Sequence, residues 1–485
     1  MSNYLLIGIK GTGMSSLALI LKAKGDIVFG IDKSDFFSSQ NKLIDADIKI
    51  YEDFNLDNIV EKIDCIIYST AYENSKIVNQ LNDKYISYSY IDYLSKLTRE
   101  SKAYGICGTH GKTTTSAATT FALSYKNRKA FPFYSIFGSS LIDKPFVYQG
   151  DESLVIEACE YQDHFLKYNL RGAIITSIDF DHPDYFKDET AVLDSFIQLA
   201  LNISKNGFLI LNVDDKNVRE LKSVIENARE DLNIISFGFM DNSIFRIQEN
   251  NLTHSYNVGL TYGDDYKLNC TDRALVNDMV GASILATCIL LDREKVELYL
   301  DENDIICDEV FTTLFKSSLN SLEYFNGVRG RLELKANYKN IVFIDDYAHH
   351  PKEIYTLLQE VKSRYPNRKV FAIFSFHTAS RTKALYKDFL NVFLLFDKLI
   401  ITKTFASARM DVDSDNLDLK FVKDLNKKLL KSFKVRLAAV QYIEDIEEVA
   451  PISAEMIEDG DIVISLGASN NDDLYKNIIK ELDKR

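Results

Sequence analysis

"GICGTHGKTTTS" (residues 105–116) decides the fold. An apolar run leads into it, two glycines three apart interrupt it, and a Thr-rich stretch of helical character leaves it. Strand, Gly108, Gly111, Lys112, Thr113 and then helix is the order in which backbone N–H groups and a helix N-terminus meet phosphate oxygens. Lys112 would add a point charge at the β/γ phosphates, and Thr113 a hydroxyl for Mg²⁺. The common GxxxxGK(S/T) form needs glycine where Ile106 stands, so this loop is shorter. The plain alternative is a Gly-rich turn followed by a Thr-rich helix cap. The flanking strand and helix favour a phosphate loop in an α/β sheet.

The same rhythm extends in both directions. Upstream, "YLLIGI", "MSSLALILKAKG", "DIVFGID" and "DCIIYSTA" alternate strand-like and helix-like patterns. They end in the polar "YLSKLTRESK", which sets a first domain at residues 1–98. Downstream, "SLVIEACE", "GAIITSIDFDH", "ETAVLDSFIQLALNIS" and "GFLILNVDD" continue a second unit. After β-like material at 244–270 and the helical "LVNDMVGASILATCILLD", that unit closes, giving a domain at 99–322. A third restart, from "IVFIDDYAHHPKEIYTLLQEVKSRYP" to "GDIVISLGAS", gives a domain at 323–485. A length of 485 residues accommodates three domains of roughly 150 residues. The expectation is therefore three α/β domains with parallel sheets: Rossmann-like, P-loop-type, and Rossmann-like again.

Composition narrows the class. Hydrophobic residues make up 46% and charged residues 26%, the balance of an ordinary globular chain. A formal net charge of −14 argues against nucleic acid or an anionic membrane as partner. It leaves room for an anionic small molecule, since loops and a metal ion reverse the sign locally. No stretch is read as a membrane span; "VGASILATCILL" is the nearest and is too short. "MSNYLLIGIKG" runs straight into a strand and lacks the features of a signal peptide. Six dispersed cysteines (65, 107, 159, 270, 288 and 307) without a CxxC pair read as reduced thiols, so a cytoplasmic location is expected. The oligomeric state is left open.

Several further runs carry candidate chemistry. "GIKGTGMS" (8–15) is a strand–turn–helix glycine run with Lys10 where the dinucleotide fingerprint has its second glycine. Asp32 follows at the end of the second strand, where an acid commonly reaches a ribose. "IEACEY" and "SIDFDHPDYF" end strands with Glu157 and Glu160, and with Asp179, Asp181 and His182. Ligands gather at the carboxyl ends of parallel strands, so Glu157 and His182 could meet a metal near Thr113. Solvated loop acids are the alternative. "GVRGRLE" offers Arg329 and Arg331, "DDYAHHP" two carboxylates and two histidines, and "FHTASRT" His377 and Arg381. The spacing in "DDYAHHP" lacks the i, i+4 histidine pair of a zinc helix.

In order along nearly the whole chain, these runs resemble the Mur ligase family, the ATP-dependent amide-bond formers of peptidoglycan synthesis. "GIKGTGMS", "GTHGKTTT", "EACEYQDHFL" with "IDFDHPDYF", and "DDYAHHPKEI" carry the resemblance. It lies closest to members that attach L-alanine. It implies that ATP phosphorylates the lactyl carboxylate of UDP-N-acetylmuramate and that the amine of L-alanine then displaces phosphate. ATP and Mg²⁺ are the implied cofactors. By matching position, Gly108, Thr109, His110, Gly111, Lys112, Thr113, Thr114, Asn277, Arg331, Asp345 and Asp346 would bind ATP. Thr113, Glu157 and His182 would hold metal. Lys112, Glu157, His182, Arg331 and His349 would serve catalysis, with His349, His377 and Arg381 at the amino-acid or substrate carboxylate. Gly11, Thr12, Gly13, Met14, Ser15, Asp32, Ser69, Thr70 and Ala71 would hold the UDP-sugar.

Departures from the family pattern fall at Val276, Ser375-Phe376, Thr378 and Ser469. A family member joining a tripeptide to the same sugar is the near rival. From other classes, the rivals are a nicotinamide-dependent oxidoreductase built on the first glycine turn and a nucleotide-binding regulator without chemistry.

Overall fold

The computed structural model describes residues 1–485 except 36, 38, 60, 126–130, 138–145, 251–254, 261–265, 269, 271, 295–308, 326, 405–413, 432–435, 438 and 468–472. Ser469 and Cys307 therefore lie outside the described residues. Three sheets organise the chain, and they fall into two compact units: 1–180 with 188–327, and 181–187 with 328–485.

The first sheet holds β1 (Asn3–Ile7), β2 (Ile27–Ile31), β3 (Lys49–Tyr51), β4 (Cys65–Tyr68) and β5 (Ile86–Ser89). Its order is β3-β2-β1-β4-β5, parallel throughout. Short apolar runs buried on both faces suit such a sheet, and Leu5, Ile7, Phe29, Ile31 and Ile66 form its core.

The second sheet contains β6 (Lys102–Cys107), β7 (Phe133–Ile136), β8 (Phe146–Tyr148), β9 (Ser153–Glu157), β10 (Leu170–Ile175), β11 (Phe208–Asn212), β12 (Asn233–Gly238), β13 (Phe245–Asn250), β14 (Ser255–Leu260) and β15 (Tyr266–Leu268). The order is β15-β14-β13-β12-β11-β10-β6-β9-β7-β8. β6 lies inside the sheet, parallel to β9 on one side and β10 on the other. The β-like material expected over 244–270 forms β13–β15, an antiparallel extension at one edge.

The chain following β6 becomes the helix Lys112–Ser124. Its Ala118, Ala122 and Leu123 share a core with Val276, Val280, Ile284 and Leu285 of the helix Arg273–Glu294. That second helix corrects the length read for the apolar stretch in the sequence. Residues 273–292 are long and apolar enough to span a bilayer by length and composition. The stretch is instead taken up by the core, 72% of it being buried.

The first two sheets share a unit because side chains tie them together. Lys24 pairs with Asp151 at 2.7 Å and lies over the Tyr134 ring. Ser95 Oγ donates to Lys167 O at 2.6 Å.

The third sheet comprises β16 (Glu333–Tyr338), β17 (Ile341–Asp346), β18 (Val370–Ser375), β19 (Lys398–Thr402), β20 (Ala439–Ile443) and β21 (Ile462–Gly467), in the order β16-β17-β21-β18-β19-β20. Only its β16–β17 pair is antiparallel. Residues 181–187 cluster with this unit although they arise between β10 and β11.

Candidate active site

In the first unit the site is built on the turn after β6. Gly108 has φ +138° and Gly111 φ +82°, both in the region that favours glycine. A Cβ on Gly108 would lie 2.0 Å from Thr176 Oγ1, and one on Gly111 2.8 Å from Asp278 Oδ1. The chain that leaves β10 forms the other wall. Thr109 N–H donates to Ser177 O at 3.0 Å and His110 N–H to Ser177 Oγ at 2.9 Å. Thr176 Oγ1 is within reach of Cys107 O at 3.1 Å and of His110 O. Asp179 N–H donates to Thr109 Oγ1 at 2.9 Å, and Asp179 Oδ2 lies 3.4 Å from His110 Nε2. Thr176, Ser177 and Asp179 thus hold the loop in shape. No side chain caps the helix Lys112–Ser124, and its N-cap is Gly111. The first-turn amides, Thr114 included, are left without a side-chain cap, an arrangement suited to an anion.

Lys112 is folded over this turn. Its ammonium donates to Gly108 O, to Thr109 O at 3.2 Å and to Glu160 Oε2 at 2.8 Å. Burial works to lower its pKa, but the Glu160 carboxylate outweighs that and holds it above the ordinary lysine value. Thr113 Oγ1 lies 3.2 and 3.4 Å from the two oxygens of Glu157. A hydroxyl and a carboxylate at the mouth of a phosphate loop are hard oxygen donors of the kind Mg²⁺ takes, so the residues fit that ion. Asn277 donates to Asp214 Oδ2 at 3.2 Å and Asn212 Oδ1 at 3.5 Å. Its own Oδ1 is buried with no hydrogen-bond partner among the described residues. Val276 beside it is fully buried, so that departure serves the core.

The glycine turn after β1 is built differently from a dinucleotide turn. Lys10 is 1% exposed, and its ammonium donates to Lys33 O, Asp35 O and Glu52 Oε1 at 2.7 to 3.0 Å. Asp32 accepts from Lys10 N–H at 2.7 Å, Lys33 N–H at 2.8 Å and the Tyr72 hydroxyl at 3.1 Å. The acid expected at a ribose therefore braces the turn. Ser69 caps the short turn Thr70–Tyr72 by accepting from Ala71 N–H. This turn packs on Gly8, where a Cβ would fall 2.9 Å from both Ser69 Cβ and the Tyr72 ring. Gly11 leads uncapped into the helix Thr12–Ala23, and a Cβ on Gly13 would lie 2.6 Å from the Tyr90 hydroxyl. Met14 and Ser15, expected at the UDP-sugar, instead turn their side chains inward as the helix packs. The Ser15 N–H is likewise engaged, donating to Gly11 O at 2.8 Å.

In the second unit a buried polar cluster gathers most of the other candidates. Arg381, 5% exposed, makes a two-point pair with Asp181 at 2.7 and 2.9 Å. Burial alone would raise the Asp181 pKa, but Arg381 brings it well below the usual carboxylate range. The guanidinium expected to grip a substrate carboxylate thus already holds one of the chain's own. Arg381 Nη1 lies 3.0 Å from His377 Nδ1. A guanidinium only donates, so that nitrogen is the acceptor and His377 carries its proton on Nε2.

His349 has the opposite tautomer, with Nδ1 donating to Tyr347 O at 3.0 Å and Nε2 unprotonated. Its ring centroid is 5.3 Å from that of His377. Burial, aided by Arg381, lowers its pKa to about 3. Asp346 accepts from Leu332 N–H and Ala348 N–H, both at 2.7 Å, and burial raises its pKa to about 6. Asp345 accepts from the Ser465 hydroxyl. Arg331 lies 3.6 Å from Glu353, which also accepts from His349 N–H at 3.1 Å.

His182 belongs to this unit. It takes φ +52° and donates its N–H to Asp181 Oδ1 at 2.7 Å. His350, the second histidine of "DDYAHHP", caps the helix Pro351–Arg364. Two departures have structural reasons: Thr378 caps the helix Ala379–Ala384, and Phe376 packs among Phe374, Phe389, Phe393 and Phe421.

The sequence reading named Glu160 only as a strand-end acid, and missed Thr176, Ser177 and Asp278 around the loop and Glu353 beside His349. Glu160 stood in a quoted motif, but nothing in its spacing tied it to Lys112.

Comparison with known proteins places these features in one context. Residues 3–102 match the model "Mur ligase family, catalytic domain", 106–271 the "Mur ligase middle domain", and 330–469 "Mur ligase, glutamate ligase domain". The chain is 32% identical over 488 residues to the UDP-N-acetylmuramate–L-alanine ligase of Borrelia garinii subsp. bavariensis, covering 97% of each protein. It is 30% identical over 476 residues to the protein of that name from Desulfitobacterium hafniense, again covering 97% of each. Among solved structures it resembles UDP-N-acetylmuramate-alanine ligase from Thermotoga maritima, with TM-score 0.68, 22% identity, and 100% and 99% of the two chains covered. A murein peptide ligase from Psychrobacter arcticus gives TM-score 0.67 at 17% identity over the same shares.

Proposed function

This chain belongs to the Mur ligase family, and from that premise we propose that it joins L-alanine to UDP-N-acetylmuramate at the expense of ATP. The observation that carries this reading is the end-to-end match with proteins named for that activity, at 30–32% identity. Likeness to the murein peptide ligase rests on 17% identity and speaks for the fold alone. The nicotinamide reading loses its footing, because Lys10 fills the position of the second fingerprint glycine and is locked inward.

The chemical task is to bring a carboxylate up to a polyanionic triphosphate. We assign the γ-phosphoryl transfer to the loop Gly108–Thr114, where first-turn amides and Lys112 face developing negative charge. The product is an acyl phosphate on the lactyl carboxyl, with ADP released from the loop. The alanine amine then attacks the acyl carbon, the tetrahedral intermediate collapses, and phosphate leaves with the acyl C–O bond broken. Thr113 and Glu157 would hold Mg²⁺, which when bound supplies further charge neutralisation at the phosphates.

Asn277 is assigned to the adenine, its buried and unpartnered Oδ1 suiting an amino-group donor. Arg331, Asp345 and Asp346 are assigned to the nucleotide or the amine. His349, His377 and Arg381 are assigned to the amino acid, with the unprotonated Nε2 of His349 suited to receive a proton from the amine. The 1–98 domain, with Gly11, Gly13 and the Ser69–Ala71 turn, is assigned to the UDP portion.

The test is a coupled ADP-release assay with UDP-N-acetylmuramate against amino acids and the tripeptide. ADP and phosphate should form only with ATP, Mg²⁺, the UDP-sugar and L-alanine together. Turnover that ignores the amino acid, or prefers the tripeptide, sinks the proposal.

A further inference from the structure

Glu160 is 1% exposed and lies three residues beyond Glu157, yet no step above uses it. Its Oε2 is 2.8 Å from Lys112 Nζ, and the same ammonium donates to Gly108 O and to Thr109 O. A lysine ammonium has three N–H donors. All three are taken here, two by carbonyls of the loop it serves and one by this carboxylate. The lysine needed at the phosphates is therefore folded over its own turn and already neutralised.

We propose that Glu160 is a positioning residue that acts as an internal anion, holding Lys112 folded over the loop until a nucleotide phosphate takes the carboxylate's place. The proposal rests on reading this loop as nucleotide-binding. Two consequences follow from the chemistry. The ammonium is fixed in one place, since its three donors are shared among Gly108 O, Thr109 O and Glu160 Oε2. The carboxylate also competes with every phosphate that arrives. That competition weakens substrate and product binding alike and lets ADP leave. Glu160 is poorly suited to be a metal ligand, because a cation already sits 2.8 Å from it.

The test uses the full chain, with a fluorescent ADP analogue displaced by ADP in Mg²⁺ buffer. Glu160→Gln keeps shape and a hydrogen-bond acceptor but removes the competing charge. Charge-assisted bonds are roughly twice as strong as neutral ones, so ADP should bind about tenfold more tightly, with a lower KM for ATP and a lower kcat. Glu160→Asp keeps the charge one methylene short, and should tighten ADP by about threefold. The expected order of affinity is wild type, then Asp, then Gln, with the last tightest.

A residue that only supports the fold would instead weaken ADP binding in both variants. Unchanged or weaker ADP affinity in a folded Glu160→Gln protein overturns the proposal. If that variant does not fold, Glu160→Asp against wild type decides by the same criterion. If wild type fails to bind ADP and Lys112→Ala changes nothing, the nucleotide reading falls with the proposal. If wild type binds ADP and Lys112→Ala abolishes it, but Gln is not tighter, only the role of Glu160 falls.

Discussion

Gly108→Ala is the sharpest perturbation of the phosphate loop, and its size can be worked from the surrounding atoms. The new Cβ would sit 2.0 Å from Thr176 Oγ1, 3.0 Å from Ser177 N and 3.1 Å from Thr176 N. The hydroxyl can rotate away, but it then gives up its bond to Cys107 O or His110 O, at about 1 kcal/mol. The two amides cannot yield so easily, since Thr176 N–H donates to Cys107 O at 3.0 Å and Ser177 O receives Thr109 N–H. Holding alanine at φ +138° adds roughly 1–3 kcal/mol. The sum, about 2–4 kcal/mol, is the cost of the loop geometry that presents the amides. A loop that reaches this geometry only in a minor population binds with proportionally lower apparent affinity. ADP affinity should therefore fall by about thirtyfold to a thousandfold, with far-UV circular dichroism unchanged. Combining it with Thr176→Ala removes the worst overlap but not the backbone strain. Because Thr176→Ala also forfeits the hydroxyl's bond, the double variant should bind about as weakly as Gly108→Ala alone, a non-additivity expected of atoms in contact. ADP affinity of Gly108→Ala within threefold of wild type would refute the reasoning. So would a double variant restored to within threefold of wild type, because the strain at φ +138° remains in it.

Other expectations follow from particular contacts. Lys112→Ala should lower ligase turnover by about 10²–10³ in the coupled assay, and undiminished turnover would remove the loop from the mechanism. Asp181→Asn leaves Arg381 buried without its carboxylate, and should destabilise the second unit by about 3–5 kcal/mol. Urea unfolding followed by hydrogen exchange at the helix Ala379–Ala384 measures this, and an unchanged midpoint counts against the buried pair. His349 is held near pKa 3 when folded against 6.5 unfolded, so the unfolded chain binds the extra proton between those values. Stability should fall as pH drops from 6.5 toward 3, and His349→Gln should flatten that limb in urea midpoints at several pH values. Asp346 works in the opposite sense. Raised to about 6 from 3.8, it favours the folded state as pH falls through that window, so Asp346→Asn should steepen the acid limb.

Much of the architecture was legible because it follows from local chemistry. The βαβ restarts gave three parallel-type sheets, and "GTHGKTT" could be read as a phosphate loop because glycine marks the positive-φ positions before the helix. The chain nonetheless groups into two compact units, with residues 181–187 joining the second. Composition and periodicity carry no trace of that, since it depends on Asp181 meeting Arg381 two hundred residues later. One apolar stretch was read too short. The helix through residues 273–292 has the content of a membrane span, and only the helix Lys112–Ser124 and the sheet beside it show where that surface goes.

The residues that hold the site escaped for a common reason, which is strand register. β10 aligns Ile175 with Cys107, so Thr176 and Ser177 emerge beside Gly108 and His110. β9 aligns Glu157 with Ile106, so the chain beyond it passes the loop and delivers Glu160 to Lys112. Neither neighbour of β6 can be deduced from its own sequence, because strand order is set by crossovers far away. The same rule governs the first glycine turn. Asp32 lies at a strand end, as a ribose ligand should, but β2 runs beside β1 and brings its carboxylate to the amides of Lys10 and Lys33. Met14 and Ser15 follow a glycine turn, yet helical periodicity turns their side chains to the core. A motif thus identifies groups of the right chemistry, while register decides which of them face a ligand and which hold the others still. Glu160 is the case where that division matters for activity. Its charge has no effect until the sheet places it against the one lysine that a phosphate also needs.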